Sequence, residues 1–439
     1  METILTEEFQ KVIDLVEDTN DSILVTGKAG CGKTTLLKYL VENLDVKEAI
    51  VVAPTGVAAV NAGGATIHKQ FMLPIGVLSY DELKKKRMPS HLADVLRTID
   101  VLIIDEISMV RADMMDAIDY RLRRERHNED PFGGVQVVMF GDLYQLAPVV
   151  RTEEKIALNA RYGTNYNFFN AKVFQDAAGF HVVELTHIFR QSDPQFIDLL
   201  NHVRDYTVTE DELDLLSECV DIKKANEVDA KTLHLATHRD IVDKINTTQL
   251  GEPEKEYKAE FKGNFPTSSC SCDETLKLRV GARIMMRVNS KGLYHNGTLG
   301  EIVALQDNTI TIKTDDGVTA TISRHTWKNY GYKVVKNETD GVATTTIEKE
   351  EIGSCRQFPV SLAWAVTVHK AQGLTFDNVI LHVKRIFAAG QLYVALSRCR
   401  TLQGITLDCY VTRRMIRKDD DLKAFEHEYT RRGGKYGII

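Results

Sequence analysis

Ile23-Leu24-Val25-Thr26-Gly27-Lys28-Ala29-Gly30-Cys31-Gly32-Lys33-Thr34 is an apolar run that breaks into glycines and then into a helical pattern. Residues 27–34 fit G-x-x-x-x-G-K-[ST], and a strand before and a helix after are the context the pattern requires. The bare pattern arises by chance in roughly one or two chains of this length per hundred, with Gly at about 7% of residues. In this context Gly27, Ala29, Gly30, Cys31, Gly32 and Thr35 offer backbone to phosphate oxygens, and the helix start adds a partial positive charge. Lys33 would then reach the β and γ phosphates of ATP, and Thr34 would place its hydroxyl on Mg²⁺. The competing reading, an ordinary glycine-rich turn, weakens with each further motif.

Working outward, the first 190 residues alternate short apolar runs with helical patterns. Ala49 to Thr55, Val101 to Glu106, Val135 to Gly141 and His181 to Leu185 join Ile23 to Gly27 as expected strands. That alternation is the form of an α/β fold with a parallel sheet and crossover helices, whose ligands bind at the C-terminal strand tips. Leu102 to Glu106 is a buried strand ending in two carboxylates: Asp105 would hold Mg²⁺ through its water shell, and Glu106 would orient or deprotonate the attacking water. Taken alone, the pair also suits a helix N-cap and first-turn acid. Phe140 to Pro148 puts the amide of Gln145 at another strand tip, in reach of a γ-phosphate. Arg190 and Arg398 are candidate arginine fingers, although surface-paired arginines are common and neither stands without context.

The chain's 439 residues exceed one ordinary core, so two to four domains are expected. With 43% hydrophobic and 27% charged residues it is an ordered globular protein, not a disordered one. The net charge of −7 excludes a small basic DNA-binding module, so any nucleic acid must meet a local groove. Val101 to Ile104 and Val135 to Phe140 fall far short of the ~20 residues needed to span a bilayer. Met1 to Gln10 lacks a basic start and apolar core, so no secretory signal is expected and the cytoplasm is the expected compartment. Seven scattered cysteines do not read as a disulfide framework, and Cys270-x-Cys272 lacks a second ligand pair at zinc-like spacing, although His295 lies downstream.

Leu78 to Leu96, with Lys84, Lys85, Lys86, Arg87 and then Pro89, reads as a small inserted subdomain. Its basic run is either a solvated face or a phosphate contact. A second αβ pattern starts at Thr232 to Thr237, breaks near Gln249, and resumes with Ser361 to Val368, Asn378 to Val383 and Gly404 to Asp408. The interruption contains Arg283 to Val288, Gly300 to Ala304, Thr309 to Lys313 and Thr319 to Ser323, short strands between turn signals that predict a small antiparallel barrel. Asp419 to Ile439 reads as helical before tailing off.

Thr55-Gly56-Val57-Ala58-Ala59 and Gly64-Ala65-Thr66-Ile67-His68 lie between the phosphate loop and the acid pair, and Arg121 to Arg124 leading into Pro131-Phe132-Gly133-Gly134 and Gly141-Asp142, Lys291 to Thr298, Trp364 to Gly373, and Tyr393 to Arg398 follow in order. That ordered set resembles the superfamily 1 helicases of the 5′→3′ branch, RecD-like and most of all Pif (petite integration frequency) helicases, along nearly the whole chain. The resemblance implies two RecA-like parallel-sheet motor folds: 1–66 with 99–192, and 193–247 with 354–425. It implies a small insertion at 67–98, an SH3-like β-barrel insertion at 248–353 and a tail at 426–439. By the same resemblance Gln10 reads adenine, and Lys33, Thr34, Asp105, Glu106, Gln145, Arg190, Gly373 and Arg398 serve the nucleotide. Thr55, Gly56, Thr66, His68, Thr367, His369 and Lys370 would hold DNA backbone or bases. Three departures stand out: Ala147 where the family commonly has Pro, Cys31 at a variable loop position, and Lys69-Gln70 in place of a Ser-aromatic step. The last leaves Phe71 as the candidate aromatic for base stacking, worth ~1–3 kcal/mol per base, with a core or interface aromatic the equal alternative.

The expected function is an ATP-dependent, Mg²⁺-requiring DNA helicase moving 5′→3′ on single-stranded DNA and unwinding duplex, forked or G-quadruplex DNA. Family membership implies roles in DNA repair, recombination and telomere maintenance. A monomer, transiently dimeric, is expected, with no membrane partner. The alternatives are a DNA-stimulated translocase without unwinding, which would share every motif, a P-loop phosphotransferase, which would leave the second αβ fold and Arg398 unexplained, and a non-catalytic DNA-binding subunit, which intact Lys33 and Glu106 disfavour.

Overall fold

The computed structural model describes residues 6–44, 47–74, 76–78, 80–176, 180–187, 189, 193–229, 232–267, 270, 272–290, 292–339, 342–372 and 374–433. Its first sheet contains β1 (Ser22–Gly27), β2 (Ala49–Ala53), β3 (Ala65–Thr66), β4 (Val101–Ile104), β5 (Gln136–Phe140) and β6 (Phe180–Leu185). They pair in parallel in the order β3-β2-β4-β5-β1-β6. Buried on both faces by helices, these strands are near-continuous apolar runs, as parallel sheets demand. All five expected strands are present. Two-residue β3 is too short to carry a periodic signal.

The order sets the chemistry. β1 lies between β5 and β6, with β4 beside β5, so the phosphate loop, the acid pair and the Gln145 turn leave neighbouring tips. β2 and β3 form the far edge and carry Thr55 and Thr66. The second sheet repeats the plan with four parallel strands, ordered Ala365–Thr367, Leu233–Ala236, Val379–His382 and Ile405–Leu407.

Residues 67–98 pack closely on the first sheet. Their helices Tyr80–Lys85 and Ser90–Thr98 bury Leu78, Leu83, Val95 and Leu96 in the same cluster as Leu102 and Ile104 of the first sheet, so they form a layer on its core. The arginines of helix Ala112–Arg126 hold that layer. Wholly buried Arg121 donates to the Lys86 carbonyl at 2.9 Å, and Arg124 to the carbonyls of Leu83 and Lys84, both at 3.1 Å. Arg126 reaches Leu96, Arg97 and Ile99 at 3.0, 2.9 and 2.8 Å. Carbonyls at helix C-termini have no partner within the helix and carry partial negative charge, which guanidinium groups satisfy. The side chains of Lys84 to Arg87 stay exposed.

Where the sequence predicts a small antiparallel barrel, the second insertion contains a five-stranded antiparallel sheet, ordered Thr319–Ser323, Thr309–Thr314, Leu299–Leu305, Arg283–Met286 and Val360–Leu362. The last strand lies beyond the expected limit at 353 and extends the sheet as an edge strand beside Arg283–Met286. A long hairpin, His325–Thr339 with Val342–Gln357, had no sequence expectation. It reaches the first motor, where the buried Tyr332 hydroxyl accepts from Val51 N at 2.9 Å and donates to Val51 O at 3.1 Å. The Ile347 amide donates to Glu48 Oε2 at 2.9 Å. Cys270 and Cys355 lie with sulfurs 3.0 Å apart at the hairpin's base. Among the described residues, no three His, Cys, Asp or Glu side chains are grouped to hold a metal, and no helix is long and apolar enough to cross a membrane.

Candidate functional site

The loop after β1 turns into helix Lys33–Asn43 through Gly32, whose φ of +87° suits glycine and whose added Cβ would meet the Phe9 ring at 2.9 Å. Lys33 Nζ donates to the carbonyls of Gly27 and Lys28 at 2.7 and 3.0 Å, so its charge sits inside the loop. Thr34 and Thr35 are exposed at the helix start, as is Gln10 beside Phe9, where its amide donates to Asp14 at 2.8 Å. Phe189 N donates to Gly30 O at 3.0 Å, bringing the segment after β6 over the loop. Arg190 and Gly373 lie outside the described residues.

At the tip of β4, Asp105 Oδ1 accepts from Glu106 N at 2.9 Å, and Glu106 takes a left-handed φ of +52°. A non-glycine residue held there stores strain, which clusters at functional sites. Burial raises both carboxyls. Glu106 is pushed up to about 7, by burial first, then by the Asp105 charge, against the lowering effect of Lys33. A carboxyl near neutrality suits proton transfer at physiological pH.

Gln145 is oriented by its neighbour: its Nε2 donates to Asp142 Oδ2 at 2.9 Å. The second motor then completes the site with residues that the sequence reading did not assign. Gln372 Nε2 donates to Gln145 Oε1 at 2.9 Å and to Glu106 Oε2 at 3.2 Å, joining the acid and the amide across the cleft. The Tyr393 hydroxyl accepts from Ala29 N at 3.0 Å and donates to Asp142 Oδ2 at 3.2 Å. Gly390 lies so close that an added Cβ would stand 2.1 Å from Gln145 O. Gln372 and Tyr393 were within quoted motifs, and their polar groups amid apolar neighbours were the available signal. Arg398 is buried, with Nε on Val394 O at 2.8 Å and an amino group on Ser397 Oγ at 2.7 Å, and its charge is felt at Glu106.

The candidate nucleic-acid residues follow strands near one edge of each sheet, and those of the second run directly into Gln372, whose N donates to His369 O at 3.2 Å. Thr55 caps helix Gly56–Asn61, its Oγ1 accepting from Ala58 N at 3.2 Å; Thr367 does the same for Lys370 N at 3.2 Å. Thr66 precedes helix Ile67–Gln70 with no side-chain cap bond, and half-buried His68 is held below its ordinary pKa by burial and then by Arg111. His369 and Lys370 are exposed. On the first edge, Val60 packs against the cluster of Trp327 and Cys355 that Cys270 also touches. Phe71 corrects the sequence reading. Its ring is 0% exposed within the first motor's core beside Ile67 and Leu73, so it has no face to offer a base.

A family model described as PIF1-like helicase matches residues 4–213, and one described as UvrD-like helicase C-terminal domain matches 362–405. The ATP-dependent DNA helicase PIF1 of Xenopus laevis is 30% identical over 397 residues, covering 88% of this chain, which spans 58% of that protein. The ATP-dependent DNA helicase Pif1 of Bdellovibrio bacteriovorus is 29% identical, covering 92% of this chain and 87% of its own. Bacteroides sp Pif1 in complex with ADP-AlF4 is 51% identical over 99% of both chains, with a TM-score of 0.90. Bacteroides Pif1 bound to ssDNA, also 51% identical over 99% of both chains, scores 0.71.

Proposed function

Because the chain belongs to the PIF1-like helicases, we propose that it couples ATP hydrolysis to 5′→3′ movement along single-stranded DNA and to separation of duplex, forked and G-quadruplex structures. The observation that carries this reading is Gln372. Its amide, from the second motor, meets Glu106 and Gln145 of the first, so the hydrolytic residues are complete only when the cleft is closed. A phosphotransferase has no need of such a junction between two sheets.

In this mechanism Lys33 leaves the carbonyls of Gly27 and Lys28 for the β and γ phosphates. Glu106 accepts the proton of the attacking water, Gln145 orients that water or senses the γ-phosphate, and Arg398 and Arg190 stabilise charge on the transferred group. Asp105 and the Thr34 hydroxyl are oxygen donors beside a helix start, a set that suits a hard divalent cation, and burial of two adjacent carboxyls makes positive charge there favourable. Asp105 and Thr34 would hold Mg²⁺ there, and its positive charge would offset charge on the phosphate oxygens. Gln10 would sit at the adenine.

Closing and opening then shift the two DNA grips, Thr55, Gly56, Thr66 and His68 on one edge and Thr367, His369 and Lys370 on the other. Contacts of this kind favour backbone over base identity, as a motor on any sequence requires. The protein would work as a monomer that pairs transiently on forks, in keeping with the forked-DNA structure of two coordinating Pif1 helicases. The test is ATP hydrolysis by wild type and Glu106→Gln with and without single-stranded DNA, beside unwinding of duplexes with a 5′ or a 3′ tail. DNA-stimulated hydrolysis that the variant loses, with unwinding from the 5′ tail, is expected; hydrolysis indifferent to DNA would sink the proposal.

A further inference from the structure

The C-terminal helix Asp420–Gly433 follows the second sheet in sequence yet packs on the first motor, where the Phe425 ring lies flat on Phe169 at 4.2 Å and 14°. One turn of its surface faces the residue before Gln145. The Tyr144 hydroxyl hydrogen-bonds Glu426, while its ring lies under the Arg204 guanidinium at 4.1 Å and beside the Lys423 ammonium at 5.3 Å. Cations over an aromatic face are attracted by its quadrupole, so the ring is held from several sides. Arg204, buried on helix Pro194–Asp205, stands 3.7 Å from Asp142 Oδ1. Asp142 accepts from Tyr144 N at 3.2 Å and from Gln145 Nε2 at 2.9 Å. Glu426, Tyr144, Arg204, Asp142 and Gln145 thus form a continuous run of contacts that ends at the amide facing Gln372.

We propose that this helix is a positioning element of the hydrolysis site, with Glu426 holding Tyr144 so that the Asp142–Gln145 turn keeps its register against the second motor. The inference rests on the nucleotide site proposed above. Glu426 touches no substrate; it acts through Tyr144. Because Gln145 is assigned to the hydrolytic step and not to ATP capture, loss of the contact should lower kcat and leave KM for ATP alone.

The test compares Glu426→Ala, Tyr144→Phe and Glu426→Gln in the full chain, reading kcat, KM for ATP, single-stranded DNA affinity and melting temperature. Glu426→Ala and Tyr144→Phe should lower kcat about 3- to 10-fold, the scale expected when part of one charge-assisted hydrogen bond's energy reaches Gln145. KM and DNA affinity should stay at wild-type values. Glu426→Gln retains an acceptor for the hydroxyl and should restore kcat. Wild-type kcat in Glu426→Ala would overturn the proposal, even with a lowered melting temperature, as would a Glu426→Gln variant as slow as Glu426→Ala. Wild-type hydrolysis that ignored DNA would count against the helicase reading instead, and the ratio of variant to wild-type kcat would still decide the helix's part.

Discussion

Glu106→Gln should stop hydrolysis and, in the nucleotide-free protein, raise stability at alkaline pH. The Glu106 carboxyl is pushed from near 4.5 to about 7, by burial first and by Asp105 next. A folded-state value above the unfolded one means that the folded chain binds the proton more tightly. The stabilising contribution is therefore whole below pH 4.5 and lost as pH rises through 7. A difference of about 2.5 pH units, at about 1.36 kcal/mol each, puts the loss on the order of 3 kcal/mol by pH 8. Glutamine has the same shape, can still meet Gln372, and never ionises. Urea unfolding in EDTA should then find the variant more stable than wild type by about 3 kcal/mol at pH 8 and by under about 1 kcal/mol at pH 5. Equal stability at pH 8 would refute the reasoning. An equal gap at both pH values would assign the effect to packing instead of ionisation.

Arg398→Lys keeps a charge but loses the planar fork, and should cut DNA-stimulated hydrolysis by about 10³ while fluorescent-nucleotide binding persists; unchanged turnover would remove Arg398 from the site. Gln372→Ala breaks both cleft contacts and should lower kcat about tenfold with ATP affinity retained, read by steady-state hydrolysis and nucleotide titration. Charge reversal at exposed Lys84 and Lys85 should reduce the slope of log K against log salt for DNA binding by roughly 1 to 2; an unaltered slope makes that run a solvated face. Phe71→Ala should cost about 3–5 kcal/mol in unfolding and leave single-stranded DNA affinity intact at a permissive temperature, whereas a selective loss of affinity would restore the ring to the DNA site.

Arg121 to Arg124 show how a motif can be legible in sequence and silent about its physical work. The sequence exposes the guanidinium groups next to a helix, but only packing reveals that Arg121 and Arg124 cap the carbonyls of residues 83, 84 and 86, some 35 to 41 positions earlier. Phe71 illustrates the opposite failure. An aromatic near a DNA-binding motif reads equally as a platform or as core, and burial decides.

The sequence by itself determined the phosphate loop, the acid pair at the β4 tip, the parallel sheets and the order of the motor motifs. Each is written in neighbouring residues, because a strand, a turn and a helix start are fixed by apolar period, glycine and side-chain chemistry within about a dozen positions. Tertiary structure alone decided the rest: Gln372 against Glu106 across 266 residues, Tyr393 on Ala29 across 364, and Tyr332 on Val51 across 281. Such pairs leave no periodicity in the chain. Their cost is the closure of long loops, met only when two parallel sheets, an antiparallel sheet and a hairpin have already buried their apolar faces and brought distant polar groups within hydrogen-bond reach.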